Sequence, residues 1–184
     1  MDTFQIKSII KSDKYLKKIS SSVIFEKELP SIIPRNHFYF VLTPNGKTRN
    51  LDNSTVVLGH WILIERLDLF KRNGQVKYGS VNYFDPYGTD PDSLTYQKIA
   101  GTALIHNLDV FINKRCAQLP GSVICGSLII YVSLLRARGY SYPDILAHKL
   151  SKNLRVNAQT VVDIVNSLLP KKQKKVKRFS LDFL

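Results

Sequence analysis

Four residues in this chain are of the types that acyl transfer by a thiol nucleophile needs: Cys125, His60, Asp85 and Gln118. Cys125 follows a Pro120-Gly121-Ser122 break, close to where a helix is expected to begin. A helix N-terminus carries partial positive charge and favours the thiolate, the reactive form of cysteine. Gly126 comes next and leaves room for a substrate backbone to approach. Taken alone, a cysteine beside Val123 and Ile124 reads more readily as a buried core thiol. His60 lies between Gly59 and Trp61 at the entry to an apolar strand, a place from which scaffolds present a general base. His37, His106 and His148 compete for that role, the first opening another strand and the other two falling in helical stretches. A histidine base needs an orienting group on its second nitrogen. Asp85 ends the strand expected to pair with the His60 strand, which makes the two expected neighbours, although an isolated Asp-Pro-Tyr-Gly is simply a turn. The Cys125 backbone N–H and the Gln118 side-chain amide are candidate donors to a developing oxyanion. A lone glutamine in a loop is otherwise a solvated one.

These residues must be positioned by their elements. An apolar stripe of Phe4, Ile6, Ile9, Ile10, Leu16 and Ile19 among lysines predicts a helix over 3–19. Pro30 and Pro34 break any helix that follows. His37 to Leu42 reads as a strand closed by the Thr43-Pro-Asn-Gly46 turn, and a polar stretch from Lys47 to Ser54 leads to a second strand at Trp61 to Leu67. Asn73-Gly74 signals a hairpin into a third strand at Lys77 to Phe84. Ser93 is a candidate cap for a helix toward Asn113, and Ser122 for one through Arg138 closed by Gly139. Pro143 suits the first turn of a short helix through Leu150, and Ala158 to Leu169 forms the last, stopped by Pro170. Strands come first and helices follow, which predicts a single α+β domain over 1–170 with a mostly antiparallel sheet packed by helices. Residues 171–184 form a basic tail.

The chain has 184 residues, 44% of them apolar, enough for one domain with a real core. No apolar run approaches the roughly 20 residues of a membrane span, the longest being Val123 to Leu135, and no membrane contact is expected. The opening Met1-Asp2-Thr3 lacks the pattern of a signal peptide, so an intracellular location is expected, with Cys116 and Cys125 as free thiols. Two separated cysteines and scattered histidines lack zinc spacing, no metal is expected, and no phosphate-binding glycine loop is present. The formal charge is +13, and residues 110–184 carry +10 of it through 13 basic and 3 acidic side chains. Such a field favours a polyanion, most simply DNA. The candidate contacts are Lys171, Lys172, Lys174, Lys175, Lys177 and Arg178. A solvated tail is the plain alternative.

Gly59-His60-Trp61 at a strand start, then Tyr83-Phe84-Asp85-Pro86-Tyr87-Gly88, then Gln118 seven residues before Cys125-Gly126, together resemble the adenovirus-type cysteine protease (adenain) family over about residues 20–140. Phe25-Glu26-Lys27 and Pro30 add a less specific likeness. The resemblance implies a permuted papain-like architecture, with Cys125 as nucleophile, His60 as general base and acid, Asp85 as its orienter, and Gln118 with the Cys125 amide as oxyanion hole. Trp61 and Gly126 would line the substrate groove. It implies cleavage of viral or mobile-element precursor polypeptides at glycine-containing sites during virion maturation, in the host nucleus or virion. No cofactor is needed for the chemistry, but DNA and a short basic peptide activate members of the family. Their peptide forms a disulfide with a second enzyme cysteine, and Cys116 does not match that position by spacing.

Two other readings remain open. Proteases specific for SUMO or ubiquitin-like modifiers share the His-Trp, Asp, Gln, Cys-Gly order, but usually carry Asp where this chain has Ile124. A non-catalytic, basic nucleic-acid-binding virion protein accounts for the charge, though not for the spaced series of four residues. The basic tail with its apolar end, Phe179 to Leu184, could also act as a built-in activator or an import signal.

Overall fold

The computed structural model describes residues 1–51, 54–70 and 76–170. The elements run α1 (Thr3–Ser12), β1 (Ser20–Phe25), β2 (His37–Leu51), β3 (Ser54–Phe70), β4 (Val76–Phe84), α2 (Ser93–His106), β5 (Asp109–Ile112), α3 (Cys125–Ala137), α4 (Tyr142–Asp144) and α5 (Leu154–Leu168). The five strands lie in the order β1-β2-β3-β4-β5. The inner pairs β2–β3 and β3–β4 are antiparallel, whereas each outer strand joins its neighbour in parallel, so the sheet is mixed. The α+β expectation holds. The Asn73-Gly74 turn and the basic tail lie outside the described residues.

Both faces of the sheet are buried, which is why 38–42 reads as an unbroken apolar run rather than an alternation. Phe38, Phe40, Trp61, Leu63 and Phe84 face α1, α3 and α5. Tyr39, Val41, Ile62, Ile64, Val81 and Tyr83 face Ile99 and Ala103 of α2, with Leu29 and Ile33 beside them. Each fully buried Phe or Leu contributes about 1.5–3 kcal/mol. Helix α3 is apolar almost all round, with Leu128, Ile129, Ile130, Val132 and Leu134 all buried. A helix of that kind belongs inside the protein. The Val123 to Leu135 run is therefore a core helix from Cys125 onward, and among the described residues no helix is long and apolar enough to cross a membrane.

Several element boundaries differ from the expectations. The helix over 3–19 stops at Ser12, because the Asp13 carboxylate accepts the N–H groups of Tyr15 and Leu16 and turns the chain into a 3-10 turn. Strand β1 takes up 20–25, which the sequence left unassigned. Strands β2 and β3 run through the stretch read as polar linker. Helix α2 is capped by Asp92, not Ser93, and ends where Asn107 turns left-handed (φ 51°), which frees 109–112 to pair with β4. Helix α3 begins at Cys125 with no side-chain cap, and the Ser122 hydroxyl has no partner. The Pro143 helix is a single turn continuing into a π-helical turn, Ile145–Lys149.

One buried polar cluster ties β3, β4 and α3 together. Glu65 of β3 is fully buried and accepts from Arg136 Nε of α3 at 2.6 Å and from Asn82 Nδ2 of β4 at 3.1 Å. Burial pushes the Glu65 carboxyl up to about 7, outweighing Arg136 and Asn82. The Arg136 guanidinium also covers the Tyr142 ring, 4.7 Å from its centre.

Candidate active site

His60 lies in β3, Asp85 is the first residue after β4, and Cys125 is the first residue of α3. Strand pairing accounts for the first juxtaposition. The β3–β4 ladder ends at Leu63 opposite Phe84. Continued past that pair, the register brings the Asp85-Pro86-Tyr87 segment alongside His60. The His60 Nε2 to Asp85 Oδ1 distance is 2.8 Å, and both groups are buried.

The Asp85 carboxylate is held on every side. Oδ1 also accepts the Tyr87 N–H at 2.7 Å, and Oδ2 accepts the Thr89 hydroxyl. Asn113 Nδ2 donates to the Asp85 carbonyl at 2.8 Å. The turn closes through Gly88, whose N–H reaches the Asp85 carbonyl at 2.9 Å. Gly88 has φ 74°, and a Cβ there would meet the backbone of 114–116 within 3 Å, so glycine is required both for the turn and for this contact. The Pro86 carbonyl accepts the N–H groups of Ala117 and Gln118, which fastens the Gln118 segment to the Asp85 turn.

Cys125 is 8% exposed at the uncapped head of α3. The missing cap leaves first-turn N–H groups available to an anion. Burial alone would raise the Cys125 thiol. The hydrogen bond with His60, the Trp61 N–H, the imidazolium charge and the Gly126 N–H outweigh it and hold the thiol below its ordinary value. Burial likewise works against a charged His60, but its hydrogen bonds to Asp85 and Cys125 and their negative charges lift it to about 9. Burial would raise Asp85 too, and the His60 and Thr89 hydrogen bonds, the imidazolium charge and the Tyr87 N–H bring it below the usual carboxylate range. With Nε2 committed to Asp85, Nδ1 is the imidazole nitrogen that serves Cys125. With the thiol lowered and the imidazole raised, the pair favours thiolate beside imidazolium.

Gln118 is fully buried in the loop before α3. Its Nε2 donates to the Ser122 carbonyl at 2.6 Å and to the Tyr87 hydroxyl at 3.1 Å, and its Oε1 has no partner. The amide is thus drawn in on the loop that leads to Cys125 rather than opened to solvent. Trp61 packs in the core with Cys125, and its indole N–H donates to the Met1 carbonyl at 3.2 Å. A Cβ on Gly126 would stand 2.8 Å from Met1 Cβ and 3.2 Å from Trp61 Cδ1. Trp61 and Gly126 therefore meet each other under Met1. Val123, two residues before Cys125, is 69% exposed.

The competing histidines lie elsewhere. His37 bonds Ser22 Oγ at 2.9 Å across β1 and β2, His106 ends α2, and His148 is in the π-helical turn. Cys116 is half-buried, its thiol 3.1 Å from the Gln118 carbonyl oxygen. The candidate DNA contacts Lys171 to Arg178 lie outside the described residues. Sequence reasoning missed Thr89, whose hydroxyl holds the second Asp85 oxygen, and two further participants. Tyr87 was read only as part of a turn, yet its ring stacks on His60 with centres 5.0 Å apart. Its aromatic character beside Asp85 was the available signal. Asn113, which anchors the Asp85 carbonyl, carried no local signal at all. Among the described residues, no group of three or more His, Cys, Asp and Glu side chains is placed to hold a metal ion.

No family model matches the chain. No curated protein sequence matches it either. Among solved structures, the chain is similar to two crystal structures of the ASFV pS273R protease, one of them the selenomethionine form. Identity is 15% and 13%, the TM-score is 0.44 for both, and the matches cover 67% of this chain and 43% and 42% of those chains. The chain thus spans less than half the length of these neighbours.

Proposed function

We propose that this protein is a cysteine endopeptidase of the adenovirus type. The observation that carries the reading is the His60 imidazole held between the Asp85 carboxylate and the Cys125 thiol at the head of a buried helix. Cys125 sulfur attacks the scissile carbonyl, and the carbonyl electrons move to its oxygen. The Cys125 N–H and the Gln118 amide receive that oxyanion. When the intermediate collapses, the C–N bond breaks, His60 gives its proton to the leaving amine, and a thioester remains. Water then attacks the thioester carbonyl, His60 accepts its proton, and the C–S bond breaks to release the acid and the thiolate. Asp85 keeps Nδ1 directed at sulfur throughout and stabilises the imidazolium. The substrate backbone is assigned to the groove beside Trp61 and Gly126, which Met1 covers in the free protein.

The substrates are precursor polypeptides of a virus or mobile element, cut at glycine-containing sites in the host nucleus or the virion. DNA stimulates the reaction through the basic tail. Support for these assignments is the spaced motif series and the charge of +13.

The test is cleavage of glycine-containing peptides by wild type and Cys125→Ala under reducing conditions, each with and without DNA. Cleavage by wild type alone, rising with DNA, is the expected result. Tight DNA binding with no cleavage of peptides or of modifier precursors would favour the non-catalytic alternative, and cleavage of modifier precursors alone the SUMO-protease one.

A further inference from the structure

Tyr87 is joined to the site at both ends of its side chain. Its ring lies over the His60 imidazole at 5.0 Å between centres and 25° between planes. Its hydroxyl accepts from Gln118 Nε2 at 3.1 Å and stands 3.4 Å from the Ser122 carbonyl oxygen, toward which its own proton points. The backbone N–H of Gly121 also reaches it. The hydroxyl therefore sits among three residues of the loop 118–122 that delivers Cys125 to its helix.

We propose that Tyr87 is a positioning residue for this site, its ring supporting the imidazole and its hydroxyl keeping the Gln118 amide aimed before substrate arrives. The inference rests on the peptidase reading above. An amide group has two N–H bonds. In the free protein one goes to the Ser122 carbonyl at 2.6 Å and the other to the Tyr87 hydroxyl at 3.1 Å. The longer bond is the one an oxyanion takes over. Until then the hydroxyl gives that N–H a partner, so the buried amide keeps a single orientation in the free protein. With phenylalanine in its place, the second N–H would lose its partner inside the protein and the amide could turn about its last torsion. The ring acts separately. An aromatic face beside an imidazole attracts the charged form more than the neutral one. The titratable groups facing His60 are Asp85 after β4, Cys125 from α3 and Tyr87 itself, and Cys116 interacts with Tyr87.

Two variants separate the two ends. Tyr87→Phe keeps the ring and removes the hydroxyl. It should lower kcat about ten-fold with little change in KM, and leave the alkaline limb of the pH profile where it is. Tyr87→Leu removes both. It should show at least the same fall in kcat and move the alkaline limb down by about half a pH unit. The same limb is read without turnover, from the pH dependence of Cys125 alkylation by iodoacetamide. Circular dichroism checks that each variant is folded. An unchanged or raised kcat in Tyr87→Phe overturns the tether, and an unmoved limb in folded Tyr87→Leu overturns the stacking role. Wild type without Cys125-dependent turnover overturns the peptidase reading and the tether with it, whereas an active wild type with a normal Tyr87→Phe overturns the tether alone.

Discussion

Replacing Asp85 with Asn removes one negative charge from a buried site and keeps the shape of the side chain. In the native arrangement the carboxylate receives His60 Nε2 at 2.8 Å, and this bond, with Cys125, lifts the imidazole to about 9 against the downward pull of burial. A charge-assisted hydrogen bond of this kind is worth about 1.5–3 kcal/mol, or roughly 1–2 units of pKa. The sign follows from which form Asp85 favours. It stabilises the imidazolium, so its loss lets the proton leave at lower pH. For a shift of about 1.5 units, the imidazolium fraction at pH 8 falls roughly four-fold. The thiolate loses part of its counter-charge in the same step, so the acid limb moves up while the alkaline limb moves down, and the bell narrows from both sides. Because the two groups titrate together, the limbs report the pair and not either residue. The assay is kcat/KM against pH for peptide cleavage, with ultraviolet thiolate absorbance of the same samples. A folded Asp85→Asn protein whose alkaline limb stays near that of wild type would refute the reasoning, since Asp85 would then not be what holds the imidazolium.

The remaining expectations concern the buried cluster and the tail. Arg136→Met leaves the fully buried Glu65 without its cation, and breaking such a pair costs about 3–5 kcal/mol. Glu65 escapes part of that penalty by taking a proton, so urea unfolding should show a smaller loss at pH 5 than at pH 8; equal losses would contradict the assigned burial of charge. Deleting residues 171–184 removes six cations between Lys171 and Arg178. If all six meet phosphates, the slope of log affinity against log salt for duplex DNA should shrink by about 5, and an unchanged slope would take the tail out of the DNA contact.

The residue types of the candidate site, and their order, are properties of the sequence alone. So is the neighbourhood of His60 and Asp85, because antiparallel pairing through a short connection carries the end of one strand back along its partner, although β3 begins at Ser54 and His60 lies inside it rather than at its start. The buried strand 37–42 and the helix expected between Ser122 and Arg138 were legible for the same local reason, a concentration of apolar side chains that water disfavours. Local signals failed where distant partners compete. Asp13 ends a helix whose apolar stripe continues past it, and its second oxygen is engaged by Arg138, more than a hundred residues away. Residues 109–112 leave the helical pattern because β4 offers an open edge. The uncapped head of α3, which leaves N–H groups for the Cys125 thiolate, contradicts the cap expected at Ser122. Only the tertiary structure decided the electrostatics. Burial taken alone would discharge His60, Asp85 and Cys125, and it is their mutual contact, with the N–H groups of Trp61, Gly126 and Tyr87, that reverses each shift. Such terms depend on distances of a few ångströms between elements far apart in the chain, and no spacing along a sequence contains them.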